Sequence, residues 1–238
     1  MTRHITDIDE VLTTTRTVRF RMDFDRPVED DVITECLGLA QQATVGSNQE
    51  YWRAVVVTDP LVKGAIAQLY RQVWDETVAV PLAEGQAATV TRLSPTVRAG
   101  DEEQRRQQRI LDGVKYLVDN LERVPALVMI CSEAPTPRKG MGGSTSGYYG
   151  SIYPFAWSFQ LACRSRGLGT VLATALAHKS AEVGEVLGLP DGCHLITMIP
   201  VAYTQGLEFK KGARRPLEEI VHWNQWVEKT TPTTIRRA

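Results

Sequence analysis

The sequence predicts an α+β protein with a central mixed sheet flanked by helices. Short runs of β-branched and other apolar residues recur along the 238-residue chain, and each has the length of a buried strand. Much longer segments with apolar residues at helical spacing separate these runs. Several of the connections are too long for the regular alternation of strand and helix that builds a parallel sheet.

The first half of the chain predicts one strand among helices. Residues 29–44 place apolar side chains on one side of a helix, and the acidic residues at its start suit the positive end of the helix dipole. Residues 54–58 form a β-branched run that ends at an Asp-Pro turn, as a short strand does. Helical patterns follow at residues 61–80 and at about residues 101–121. Residues 85–101 between them predict a loop.

The second half of the chain predicts three strands and two helices. Residues 133–150 are rich in Gly, Ser, Thr and Pro, which predicts a loop. Each predicted helix is followed by glycine, the residue that helix C-termini favour. The predicted helices cover residues 151–166 and about 179–187, and the predicted strands cover residues 127–131, 170–172 and 195–203.

Composition and charge exclude several classes of protein. Lys and Arg total 27 and Asp and Glu total 28, so the net charge of -1 implies no broad basic face for nucleic acid. No run of 18 apolar residues and no signal-peptide core occurs, so we expect a cytoplasmic protein that does not cross a membrane. The four cysteines show no CxxC motif and no zinc-ligand spacing, so we expect reduced, buried thiols and no metal site.

Two groups of basic residues are the most informative feature of the sequence. A nearly neutral chain has no solubility reason to gather cations at two sites near its opposite ends. Brought together, they would bind a small dianion such as a terminal phosphate, because Arg binds phosphate oxygens bidentately and Lys adds a point charge. The first group is Arg16 and Arg19, with Thr17 between them. The second group is Lys210, Lys211, Arg214 and Arg215.

Four stretches of the chain resemble the FMN-dependent nitroreductase family. Residues 15–20 match its early basic-Ser/Thr-x-basic segment, which ends in Phe. Residues 46–53 match at an Asn, a Trp and an Arg before a strand, although Glu and Tyr replace the usual Gln and Pro. Residues 149–175 carry the Gly-Ser-Ile, the apolar helix and the Gly-Leu-Gly-Thr strand of similar proteins. Residues 200–219 match the final strand, basic turn and Pro-Leu-Glu.

The resemblance extends over about residues 8–60 and 116–224. It implies a nitroreductase-like fold, with residues 1–238 forming a single FMN-binding domain that assembles into an intertwined homodimer. Residues 61–115 correspond to the family's variable region and imply a lid or excursion over the flavin. Residues 225–238 are expected to form a C-terminal tail.

The resemblance also implies which residues bind the cofactor FMN. Arg16 and Thr17 are expected at the phosphate, and Arg19 at the N1/C2=O edge, where a fixed cation stabilises the negative charge of reduced flavin. The basic turn, with Lys211, Arg214 and Arg215, is expected to complete the phosphate site. A loop of the partner subunit is expected to meet the flavin through Val45, Gly46, Ser47 and Asn48. The backbone of Thr174 and Ala175 is expected to lie beside flavin N5.

The resemblance implies an FMN-dependent NAD(P)H oxidoreductase. It would reduce a nitroaromatic, quinone or similar electron-poor small molecule in a ping-pong cycle, with NADPH or NADH as donor and no essential catalytic side chain. Two alternatives stay open: a reductive dehalogenase or pathway-specific flavin dehydrogenase on the same fold, and a non-catalytic flavin-binding protein. The sequence does not choose between the two nicotinamide donors.

Overall fold

A computed structural model describes residues 5–77, 101–137 and 142–226. The helices are α1 (Ile8–Thr14), α2 (Asp30–Ala40), α3 (Pro60–Thr77), α4 (Asp101–Asn120), α5 (Gly142–Ser165), α6 (Ser180–Leu187) and α7 (Leu217–Ile220). The strands are β1 (Met22–Asp23), β2 (Trp52–Val57), β3 (Ala126–Ser132), β4 (Leu168–Thr170) and β5 (His194–Thr204). Short 3-10 helices lie at Gly46–Asn48, Leu121–Arg123 and Thr174–Lys179.

The five strands form one sheet in the order β1-β5-β3-β2, with β4 also paired to β5. Every pair of these strands is antiparallel. Parallel pairing within the described ranges is confined to an isolated bridge between Thr17 and Thr170. The predicted α+β class is confirmed, and the parallel component of the expected mixed sheet is limited to that bridge.

Helices cover both faces of the sheet, as the sequence predicts. Along β3, Val128 and Ile130 face a core built with α2 and α5. The alternate residues Leu127 and Met129 face a second core built with α3 and α4. This alternation follows from the two-residue period of a strand. Because both faces are buried, β3 and β5 read in the sequence as continuous apolar runs.

Two predicted boundaries are wrong. Helix α5 begins at Gly142, although the composition of residues 133–150 predicts a loop. Tyr148 and Ile152, four residues apart on one face, are buried in the α2 side of the core. This packing outweighs the low helix propensity of the neighbouring Gly, Ser and Thr residues. The strand predicted at 170–172 is β4, which ends at Thr170.

The structure also bears on the predictions for the end of α6, the cysteines, membrane spans, and the lid and tail. Gly188 ends α6 in the left-handed conformation, with φ of 64°, as its sequence position predicts. All four cysteines are free thiols, and Cys36, Cys131 and Cys163 are buried. None of the described helices is long and apolar enough to cross a membrane. Residues 78–100 of the expected lid and 227–238 of the expected tail lie outside the described residues.

Candidate functional site

The segment that carries the first basic group runs directly across β4. The Val18 N–H donates to the Thr170 carbonyl at 3.0 Å, and Thr17 bridges the same residue. A Cβ atom at Gly169 would lie 2.8 Å from the Val18 Cβ, closer than real Cβ atoms approach. Gly169 therefore permits the close approach that brings Arg16 and its neighbours to the strand leading into Thr174.

The two basic groups meet in space at Gly212. The Arg16 guanidinium donates to the Lys210 carbonyl. A Cβ atom at Gly212 would collide with guanidinium nitrogens of both Arg16 and Arg214. Burial, and then the charge of Arg214, lowers the pKa of Arg16. No ion pair among the described residues joins either guanidinium to a carboxylate.

Lys211 and Arg215 lie on the same turn and have exposed side chains. Lys211 precedes Gly212 in the chain, and Arg215 follows Arg214. The segment that meets Arg16 at Gly212 therefore carries several cations close together in sequence, a composition suited to binding a dianion.

Arg19 contributes a buried donor without a partner. Its Nε atom is buried and has no hydrogen bond among the residues described. Its side chain passes over Gly113 of α4, where a Cβ atom would lie 3.3 Å from the Arg19 Cδ. Burial lowers the pKa of Arg19 and raises the pKa of the neighbouring Tyr70. An orphaned guanidinium N–H of this kind is available to an acceptor from a ligand or from water.

Thr174 and Ala175 are exposed at the start of the 3-10 helix that follows β4. The preceding residue is held to the sheet, because the Ala173 N–H donates to the Met198 carbonyl at 2.8 Å. The first N–H groups of a helix have no partner inside the helix, so this backbone is available to an acceptor. The chain thus places the Thr174 turn at the end of the strand that Arg16 and Thr17 adjoin.

The loop at Val45, Gly46, Ser47 and Asn48 is anchored to α5. The Gly46 N–H donates to Ser151 Oγ at 2.9 Å. Ser47 and Asn48 are exposed and adopt left-handed φ values of 53° and 54°. Within one chain, therefore, the loop packs on α5 rather than completing the basic cluster.

A cavity of about 550 Å³ adjoins the Thr174 turn. Its lining includes Tyr149 and Tyr153 of α5, Thr174 and Ala177 of the 3-10 helix, and His194 at the start of β5. Sequence reasoning missed this cavity because its walls come from segments far apart in the chain.

Sequence reasoning also missed the residues that position Arg19. Gly113 gave one usable signal, because an isolated glycine inside a helical pattern commonly marks close packing. Tyr70 gave none, since a tyrosine at helical spacing is typical of an ordinary core position. Gly212 has meaning only once the two chain ends are seen together.

The nitroreductase family model matches residues 12–203, four-fifths of the chain. The chain belongs to the nitroreductase family. The resemblance to that family is therefore confirmed, and the family supports an oxidoreductase function.

Solved structures share the fold of this nitroreductase-family protein at low sequence identity. An FMN- and NADPH-dependent nitroreductase of a Sphingopyxis strain, solved as a mutant, has a TM-score of 0.66 and 19% identity, over 92% of this chain and all of that one (100%). The Vibrio harveyi NADPH:FMN oxidoreductase, solved with NAD+, has a TM-score of 0.62 and 18% identity, over 93% of this chain and 79% of that one. A nitroreductase-like protein of Bacillus cereus has a TM-score of 0.60 and 21% identity, over 92% and 96%. No curated protein matches the chain in sequence.

Proposed function

We propose that this nitroreductase-family protein is an FMN-dependent NAD(P)H oxidoreductase that reduces nitroaromatic, quinone or similar electron-poor compounds in a ping-pong cycle. The observation that carries the proposal is the meeting of Arg16 and Arg214 at Gly212, without a carboxylate partner among the described residues. When bound, FMN supplies the hydride chemistry at its N5 atom.

The basic cluster holds the phosphate of FMN. Arg16 and Arg214 repel each other when no anion is present, and a phosphate between them replaces that repulsion with charge-assisted hydrogen bonds. Each such bond stabilises the complex by about 1.5–3 kcal/mol. Thr17 contributes its hydroxyl group, and Lys211 and Arg215 add positive charge from the segment that carries Arg214.

Arg19 tunes the redox end of the site. Gly113 leaves room for its side chain, which lies near Tyr70, and an arginine stays protonated in proteins even when burial lowers its pKa. Its Nε–H and positive charge stabilise negative charge at the N1/C2=O edge. The backbone N–H groups of Thr174 and Ala175 orient N5. No side chain of the protein is assigned as general acid or base.

The functional unit in this proposal is an intertwined homodimer. The loop at residues 45–48 is exposed and anchored to α5, so it can reach the flavin bound by a second subunit. Each chain forms one domain, with the region at 61–115 as lid and residues 225–238 as tail. The names of two fold neighbours, an NADPH:FMN oxidoreductase and an FMN- and NADPH-dependent nitroreductase, support the choice of cofactor and donor.

An anaerobic visible spectrum tests the proposal. The purified protein is supplied with FMN, freed of excess by gel filtration, and titrated first with NADPH and then with NADH. We expect a yellow protein that one nucleotide bleaches, with electrons then passing to a nitroaromatic or a quinone.

Each other outcome points to a stated alternative. A yellow protein that neither nucleotide bleaches is a flavin-binding protein or a dehydrogenase reduced by its own substrate. Release of halide from a halogenated aromatic, without turnover of nitroaromatics, indicates a reductive dehalogenase. A colourless protein that ignores FMN refutes the proposal.

A further inference from the structure

Two arginines from other parts of the chain hold the segment that leads into the second basic group. This segment is residues 205–209, between the end of β5 and Lys210. Arg21 comes directly before β1, and Arg164 lies in the last turn of α5. Their guanidiniums donate to three carbonyl groups of the segment, those of Gln205, Leu207 and Glu208.

Arg21 binds the segment through both its backbone and its side chain. Its carbonyl accepts from the Gln205 N–H at 2.8 Å, and its Nε atom donates to the Gln205 carbonyl at 2.9 Å. Its Nη1 atom donates to the Glu208 carbonyl at 2.9 Å. Gly206 has a φ of 79°, and a Cβ atom there would lie 2.7 Å from Nη2 of Arg21. Glycine therefore admits the guanidinium, whose rigid fork of donors spans two carbonyl groups.

Arg164 binds the same segment from the interior of the protein. It is 4% exposed, and its Nη2 atom donates to the Leu207 carbonyl at 2.9 Å and to Thr14 Oγ1 at 3.1 Å. Thr14 is also buried, so α1 helps to fix the direction of this guanidinium. The guanidinium carbons of Arg21 and Arg164 lie 4.2 Å and 4.7 Å from the centroid of the Phe209 ring. Such cation–π contacts are attractive, so both arginines hold Phe209.

The meeting of the two basic groups needs a support of this kind. Arg16 and Arg214 carry like charges that repel each other, so these two side chains do not hold the groups together. Phe209 directly precedes Lys210, whose carbonyl accepts from the Arg16 guanidinium. The chain is therefore held one residue before the first contact between the basic groups.

We propose that Arg21, Arg164 and Phe209 form a clamp that holds the second basic group against Arg16 and thereby raises the affinity for the FMN phosphate. The three are positioning residues, because they act through the basic turn rather than on the cofactor. Their role in FMN binding rests on the proposed function, whereas the anchoring of residues 205–209 does not. Riboflavin lacks the phosphate, so its affinity should not depend on the clamp.

Exchange of Arg21 for lysine keeps the positive charge and removes the planar fork. A lysine is a point charge and does not span the two carbonyl groups that Arg21 binds. We expect Arg21→Lys to raise the Kd for FMN by at least about five-fold and to leave the Kd for riboflavin unchanged. Arg123→Lys is the matched control, because Arg123 also lies over a phenyl ring, that of Phe24, and its hydrogen bond is to Asn120. Unchanged FMN affinity in Arg21→Lys, or equal effects of the two exchanges, overturns the proposal.

Exchange of Phe209 tests the aromatic part of the clamp. Phe209→Leu keeps an apolar side chain and removes the ring, whereas Phe209→Tyr keeps the ring. We expect Phe209→Leu to weaken FMN binding by at least about three-fold without an effect on riboflavin, and Phe209→Tyr to bind FMN as the parent does. Phe24→Leu, which removes the ring under Arg123, should leave the ratio of the two affinities unchanged. Equal FMN affinities of Phe209→Leu and Phe209→Tyr contradict a role for the ring.

Hydrogen exchange in the FMN-free protein tests the clamp separately from the proposed function. Amide exchange over residues 205–215, measured by mass spectrometry, should be faster in Arg21→Lys and Phe209→Leu than in the parent and the two controls. Unchanged exchange overturns the clamp, and faster exchange with unchanged FMN affinity overturns its role in binding. A parent protein that binds neither flavin refutes the proposed function and the role in binding, while exchange still decides the anchoring.

Discussion

Replacing Arg16 with glutamine separates binding of the phosphate from binding of the flavin ring. The Arg16 guanidinium meets that of Arg214 at Gly212, and no described carboxylate pairs with either. The variant removes one charged donor from the phosphate site and keeps a shorter, uncharged polar side chain. Riboflavin lacks the phosphate, so it is the matched ligand for the same protein.

The expected loss of FMN affinity follows from one charge-assisted hydrogen bond. Such a bond is worth about 1.5–3 kcal/mol, which corresponds to about a 10- to 150-fold increase in Kd. Riboflavin affinity should stay unchanged. In the FMN-free protein, loss of the hydrogen bond to the Lys210 carbonyl lowers the free energy of unfolding by about 1 kcal/mol. Relief of the repulsion between Arg16 and Arg214, two charges close to solvent, raises it by about 1 kcal/mol. The free energy of unfolding should therefore change by less than about 1 kcal/mol.

The assay is a titration of flavin fluorescence with the parent protein and three variants. Arg214→Gln should behave as Arg16→Gln does. Arg109→Gln is the control, because Arg109 is exposed on α4 and its hydrogen bond is to the Arg105 carbonyl of its own helix. A parallel loss of FMN and riboflavin affinity in Arg16→Gln, or no loss of either, would refute the assignment of the phosphate to this cluster.

Two further predictions concern stability. Gly169→Ala should lower the free energy of unfolding by about 1–3 kcal/mol, because its Cβ would lie 2.8 Å from that of Val18. At Gly64 of helix α3, an added Cβ would meet no atom of another segment within 4 Å, so Gly64→Ala should raise the free energy of unfolding by up to about 1 kcal/mol. Equal urea midpoints for the two variants would contradict this reasoning. The Tyr203 hydroxyl donates to the Glu29 carboxylate at 2.6 Å and lowers the pKa of that carboxyl. The stabilisation from this bond is fully present at pH values above the pKa that Glu29 has in the unfolded chain. It is lost as the pH falls through the lower pKa of Glu29 in the folded protein. Tyr203→Phe should therefore destabilise at pH 7 by about 0.5–1 kcal/mol, a value reduced for solvent exposure, and thermal melts at successively lower pH should show the difference shrinking.

Predictability from sequence differed among the elements. The strands β2, β3 and β5 were predicted to within two residues, because their β-branched and apolar runs are bounded by clear turn residues. The start of α5 was not predicted, since Tyr148 becomes a helix-stabilising residue only when α2 and the sheet bury it. Local composition describes the segment alone, whereas the helix is stabilised by its contacts.

The candidate site shows the same division. The family, the α+β class and the two basic groups are readable from the chain alone, because motif spacing and strand and helix periods are local properties. The folded structure was needed to show that Arg16 and Arg214 meet at Gly212, that Arg19 lies against Gly113, and that a cavity with tyrosines in its lining opens beside the Thr174 turn. These are contacts between segments far apart in the chain, and the packing of helices on the sheet sets their distances.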